Sequence, residues 1–136
     1  MSAAASLIRI SNYQVEVLQK RLAEIVERRG NAEIALAILA AEGDAETAHA
    51  EANASAGWYL IGYRQGLKLR MDAVQAHIDA CIAEEAGARD ALSEAFEALK
   101  KYEQVEANAK ALAAKELAKR ETAALDELGL RRRAHR

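Results

Sequence analysis

Apolar residues return along this chain at alternating intervals of three and four, and that spacing constrains the fold more than any other feature. Ile8, Val15, Leu22 and Leu36 follow a seven-residue count with one slip, at Arg29, and Ser11, Leu18, Ile25, Ala32 and Leu39 are their companions. The spacing lines these groups along one narrow stripe of an α-helix. A stripe this narrow serves a helix–helix seam rather than a deep core. It weakens between Ala40 and Gly57, where the same count meets Gly43, Glu46, Asn53 and Gly57 while alanines at 41, 45, 48, 52 and 56 offer a shallow alternative face. It then returns as Leu60, Leu67, Met71, Val74, Ile78 and Cys81, continues through Leu92, Ala95, Leu99 and Tyr102, and thins to Val105, Ala109, Leu112 and Leu117.

The rest of the composition points the same way. The chain contains no proline, and about a quarter of it is alanine, so the strongest helix breaker is missing and the best helix former is abundant. Aromatic residues make up only 4%, too few large rings for a thick multilayer core. One unbroken helix would run roughly 200 Å with its stripe in water, whereas folding back buries stripe on stripe. The prediction is therefore an all-α fold, a long antiparallel two-helix coiled coil in which helix 2 overhangs helix 1.

The boundaries follow from local chemistry. The reversal is expected at residues 53–58, where Asn53 and Gly57 tolerate a left-handed backbone and Ser55 can cap a new helix, although Gly62 and Gly66 blur its position. Helix 1 is read as about 5–52, helix 2 as about 59–128 and a basic tail as 129–136, all one domain over 1–136. Ser11 with Gln14 matches a capping box, and Ser2 is an earlier alternative start. Gly129 between Leu128 and Leu130 reads as a C-cap. Opposite charges four apart, such as Glu24 with Arg28 and Glu85 with Arg89, are read as exposed helix pairs. With the turn near residue 55, Leu18 falls opposite about Leu92. Residues beyond about 105 then have no partner in the chain, and long helices without packing are marginal in water. The overhang asks for a partner.

Net charge is −2 with 29% charged residues of both signs, which gives no general attraction to nucleic acid or to an anionic membrane. Only the end, Arg131–Arg136 reading RRRAHR, is lopsided. A single cysteine, Cys81, suits a reducing compartment. No apolar run approaches the roughly 18 residues of a membrane span, and the N-terminus lacks the pattern of a secretory signal. The expected location is the cytoplasm, without membrane insertion.

Catalytic and metal motifs are sparse. Glu46-x-x-His49 has the spacing of half a di-iron site but lacks the second half. His77 and Cys81 share a helical face, yet a tetrahedral site wants four ligands, and a seam cysteine packs as a small hydrophobe. There is no phosphate-binding loop, and a two-helix hairpin offers no concavity for a nucleophile and its base. The reading is a non-enzyme with no cofactor and no metal that works by binding proteins. Trp58, Tyr59 and Tyr63 cluster at the expected tip, either as interface anchors or as a local plug of the turn.

The second helix, AGWYLIGYRQGLKLRMDAVQAHIDA followed by ALSEAFEALKKYEQVEANAKALAAKELAKRETAALDELGLRR, resembles the FliJ/YscO family. The likeness rests on Trp58 and Tyr63 opening the helix, Tyr102-Glu103 late in it, and Arg120-Glu121 leading to Leu125-Asp126-Glu127. The segment LIRISNYQVEVLQKRLAEIVERR is compatible with the family's first helix. The resemblance implies a soluble stalk protein of flagellar and related type III secretion systems. Its end carrying both termini would sit in the pore of a hexameric export ATPase, promote that ring's assembly and activity, and link it to the membrane export gate. Such a protein also helps recycle export chaperones. On this view Arg21, Arg28, Arg29, Lys115, Lys119 and Arg120 face the ring, and Trp58, Tyr59 and Tyr63 face the gate or a chaperone. The rival reading is a generic structural coiled coil that self-associates into a four-helix bundle.

Overall fold

A computed structural model describes every residue except Met1, Ala54, Ala56 and Arg136. The fold is an all-α helical hairpin: α1 (Ala3–Ala52), a 3₁₀ turn (Gly57–Tyr59) and α2 (Leu60–Ala134), with no strand among the described residues. Contacts divide the chain into two compact units, Glu16–Ser93 and the combination of Met1–Val15 with Glu94–Arg136.

In the unit Glu16–Ser93 the helices run antiparallel. Arg28 reaches Glu84 at 3.2 Å, Thr47 accepts from Arg64 at 3.3 Å, and Glu46 accepts from the Tyr59 hydroxyl at 2.8 Å. The apolar count predicts the seam well. Ile25, Ala32, Leu67, Ile78, Cys81 and Ala88 are buried, with Leu18, Leu22, Leu36, Leu39, Met71 and Val74 half-buried beside them. Among the described residues only Ile25 and Cys81, each 1% exposed, are enclosed completely. So thin a seam is what a chain poor in large rings can build.

The seam does not rotate onto the alternative alanine face. Gly43 and Ala50 are buried on the original count and Glu46 is half-buried, while Ala41, Ala45, Ala48 and Ala52 stay exposed. Gly43 provides the reason: a Cβ there would run into the Leu67 side chain, so the missing side chain makes the hole that the leucine fills.

In the unit of the two chain ends, Ser11, Val15 and Leu99 are buried, and Ile8, Ala95, Ala98, Tyr102 and Glu106 are half-buried. From Ala107 to His135 every residue is exposed. Continuing the seam's spacing past Glu106 lands on Ala109, Ala113, Glu116, Arg120, Ala123 and Glu127, which are small or charged and cannot form an apolar ribbon.

Of the two N-terminal caps the sequence offers, Ser2 is the one used and Ser11 is not, and the expected C-terminal cap does not form. Helix α1 begins at Ala3, with Ser2 Oγ accepting from the Ala5 amide at 3.1 Å. Ser11 lies inside the helix, 4% exposed, because its place on the seam outweighs its capping chemistry. Gly129 does not terminate α2, which runs through it to Ala134. No described glycine has a positive φ, so the left-handed cap does not form. Arg131, Arg132 and Arg133 occupy the last turn, where cations favour the negative end of the helix dipole and extend it. At the other end of α1, the Asn53 amide and side chain both donate to the His49 carbonyl, at 3.1 and 3.2 Å.

Candidate partner-binding surfaces

The tip is built from the 3₁₀ turn and the first turn of α2. Trp58 is 84% exposed, with its ring edge-on to Tyr59 at 6.2 Å between centroids. Tyr59 and Tyr63 are half-buried. The tyrosines are thus partly covered at the turn, whereas the tryptophan stands in solvent. Donation to the Glu46 carboxylate raises the Tyr59 phenol above its usual range, with burial adding to it. Glu46 is thus engaged across the hairpin with Tyr59 rather than along the helix with His49.

Arg21 and Arg28 share an open depression with Val17, Lys20 and Glu24 on α1. Arg21 also borders a second, lined by Leu18, Glu84, Gly87, Ala88 and Ala91. Both arginines are exposed, and Arg28 turns across to Glu84 instead of along its helix to Glu24. Arg29 is placed differently. Its guanidinium binds Glu33 at 3.0 Å, and its Nε lies 2.8 Å from Glu85 Oε2. The Nε–H does not aim at that oxygen and has no hydrogen-bond acceptor, so this contact is an ion pair, with a longer hydrogen bond from Nη2 to Oε1 at 3.4 Å. Its charge is engaged deeper in the hairpin than that of Arg28, whose pair with Glu84 is half in solvent. The bond to Glu33, then the bond and charge of Glu85, raise the guanidinium's pKa further.

Glu85 is the residue that reasoning from sequence placed on the wrong face. It is 8% exposed and sits on the seam's own count, seven residues after Ile78. Arg89 donates to it at 2.7 Å from the same helix, and Arg29 meets it from the other. The available signal was the coincidence of a charged residue on the α2 count with the slip at Arg29 on the α1 count. The Arg89 hydrogen bond holds the Glu85 carboxyl below the usual range, against desolvation, with Arg29 assisting. A depressed carboxyl contributes its full stability above the unfolded value, about 4.3, and loses it as pH falls through the lower folded value. Thermal midpoints followed from neutral pH down to about 3 should therefore drop less steeply for Glu85→Gln than for the unsubstituted chain. Parallel curves would show that this proton is not linked to folding.

Lys115 and Lys119 line an open depression on the exposed part of α2 with Ala118, Thr122, Ala123 and Asp126, and Arg120 is exposed beside them. Between Ala107 and His135 there are seven lysines and arginines against four aspartates and glutamates. The same stretch exposes Leu112, Leu117, Leu125, Leu128 and Leu130 by 55–68%. Basic charge and bare leucines together make a surface suited to a protein partner rather than to solvent.

His77 Nε2 and Cys81 Sγ approach to 3.8 Å, but no group of three or more His, Cys, Asp or Glu with metal-binding geometry occurs among the described residues. No described helix is long and apolar enough to cross a membrane.

The chain is 60% identical over 131 residues to the "Flagellar FliJ protein" of Caulobacter vibrioides strain NA1000 / CB15N, covering 96% of this chain and 94% of that one. The chain belongs to the FliJ family. The protein of the same name from Caulobacter vibrioides strain ATCC 19089 / CIP 103742 / CB 15 matches with the same identity and coverage. No family model matches the sequence. No solved structure matches it significantly. A match of 131 residues in a chain of 136 takes in nearly all of the exposed helix as well as the seam. The exposed segment is thus matched along nearly all of its length in the Caulobacter protein.

Proposed function

We infer that the chain is the stalk of a flagellar export apparatus. The end with both termini enters the pore of the hexameric export ATPase, promotes the ring's assembly and hydrolysis, and connects it to the membrane export gate. The chain also helps to recycle export chaperones. It hydrolyses nothing itself and works in the cytoplasm, held at the inner face of the inner membrane by the apparatus. The observation that carries this reading is a FliJ-family helix with 29 consecutive exposed residues, Ala107 to His135, rich in bare leucine and basic charge. A helix of that length gains its order chiefly from packing, and a ring pore supplies packing on all sides at once. Arg21, Arg28, Lys115, Lys119 and Arg120 are the exposed cations assigned to the ring. Arg29, whose charge is occupied by Glu33 and Glu85, supports them from inside the hairpin. Trp58, with Tyr59 and Tyr63 holding the turn beneath it, is assigned to the gate or a chaperone.

The test is co-purification of the full chain with the hexameric export ATPase of the same organism, with hydrolysis measured with and without it. The expected result is a stable complex and a several-fold rise in hydrolysis. A chain that neither binds nor stimulates the ATPase, and whose mass in solution doubles with concentration, would instead be a self-associating structural coiled coil.

A further inference from the structure

We propose that the free chain associates with a second copy of itself, the exposed end of α2 from one copy lying along the outer face of α1, residues 34–52, of the other. This concerns the chain before any larger assembly takes it up and does not depend on what α2 binds there.

Each helix carries a second apolar count besides the seam. On α1 it runs Ile34, Ile38, Ala41, Ala45, Ala48 and Ala52, at alternating steps of four and three, and every one of these residues is exposed. Ile34 and Ile38 are bare by 61% and 53%. On α2 it runs Ala111, Ala114, Ala118, Glu121, Leu125 and Leu128, again all exposed, with one charge among them. Upstream the same count meets Glu97, Lys100 and Gln104, so this ribbon begins only where the burial of α2 ends. Steps of three and four are what a helix needs to present a ribbon to another helix. Both ribbons are bare, so neither covers the other within one chain.

The flanking residues choose the partner, because charges beside the ribbon of a helix pair set which helices meet. Beside the α1 ribbon stand Glu42, Asp44 and Glu51, and from Gly30 to Asn53 there are five carboxylates and no lysine or arginine. Beside the α2 ribbon stand Lys110, Lys115 and Arg131, with no carboxylate in a flanking position. Lys110 and Arg131 hold only exposed ion pairs four residues back, to Glu106 and Glu127 at 3.5 and 3.1 Å, and such pairs are exchanged at little cost. Like pairing, α1 on α1 or α2 on α2, sets charges of one sign against each other. The unlike pairing sets carboxylates against cations and covers both ribbons, and alanines on each side let the axes approach closely. A contact of about 27 Å with few large side chains belongs to the weak, transient class of interface, so it gives way to any tighter partner of either surface.

The test is sedimentation velocity of the full chain over a range of concentrations, at about 0.05 M and about 0.5 M salt. The expected result is reversible self-association at low salt that weakens about ten-fold or more at high salt. Asp44→Lys/Glu51→Lys and Lys110→Glu/Lys115→Glu should each weaken it to a similar degree, with helical content by circular dichroism unchanged, and mixing the two variants should restore it. A chain that stays monomeric up to about 1 mM overturns the proposal. So does association that strengthens with salt, survives both charge reversals, or fails to return on mixing. Should a charge-reversed variant not fold, the chain ending at Glu106 takes its place, since nothing it loses from Ala107 to His135 is buried. It should be monomeric alone yet bind the full chain; self-association of the shortened chain, or no binding to the full one, overturns the proposal. Stimulation of the ATPase is measured separately, so this pairing and the stalk reading can each fail alone.

Discussion

Deleting residues 107–136 is expected to abolish stimulation of the export ATPase while leaving the hairpin folded. Nothing from Ala107 to His135 is buried, so the deletion removes no contact from the seam, whose outermost member on α2 is Glu106. Helical signal should fall only in proportion to the residues lost, and the thermal midpoint of the remainder should stay within a few degrees. Binding, by contrast, loses the leucines and the basic side chains at once. Interface energy concentrates in a few anchors, so removal of a whole anchoring helix is expected to return hydrolysis to the level of the ATPase alone. Retained stimulation by the truncated chain would mean that the ring reads another surface, the arginines of α1 being the next to test.

The second large effect is on stability. Ile25→Ala should lower the unfolding free energy by about 3 kcal/mol, within the range for truncating a buried isoleucine. Ile25 is one of two side chains fully enclosed among the described residues. A two-helix seam has no second layer that can collapse into the cavity, which places the loss well above the minimum for such substitutions. For a chain of this size the thermal midpoint should fall by roughly 10 °C. The partly exposed Leu22 and Leu36, on the same seam, should give smaller losses when truncated. An Ile25→Ala midpoint within 2–3 °C of the unsubstituted value would indicate that the seam relaxes around the gap.

These two expectations depend on the sequence to different degrees. The seam, its antiparallel direction and the exposed end of α2 follow from spacing, because a repeat of three and four has one way to bury itself and the second ribbon is longer than the first. Glycine and alanine at Gly43 and Ala50 looked like a loss of pattern. They are small layers of the same seam, since burial in a coiled coil needs a matching hole as much as an apolar group.

What the sequence determined by itself was the class of object: helical, thin, folded once on itself, with a helix left over. Only the tertiary structure decided the identity of individual positions. Ser11 and Gly129 have the chemistry of helix ends, yet lie within helices because neighbours on the seam and the arginines of the last turn extend the helix past them. Glu85 has the chemistry of a surface charge, yet is buried because Arg29 comes from 56 residues away to meet it. Local propensity reports what a residue prefers on its own. The energy of a cross-helix contact depends on which residue lies opposite, and that is set only when the two helices come together.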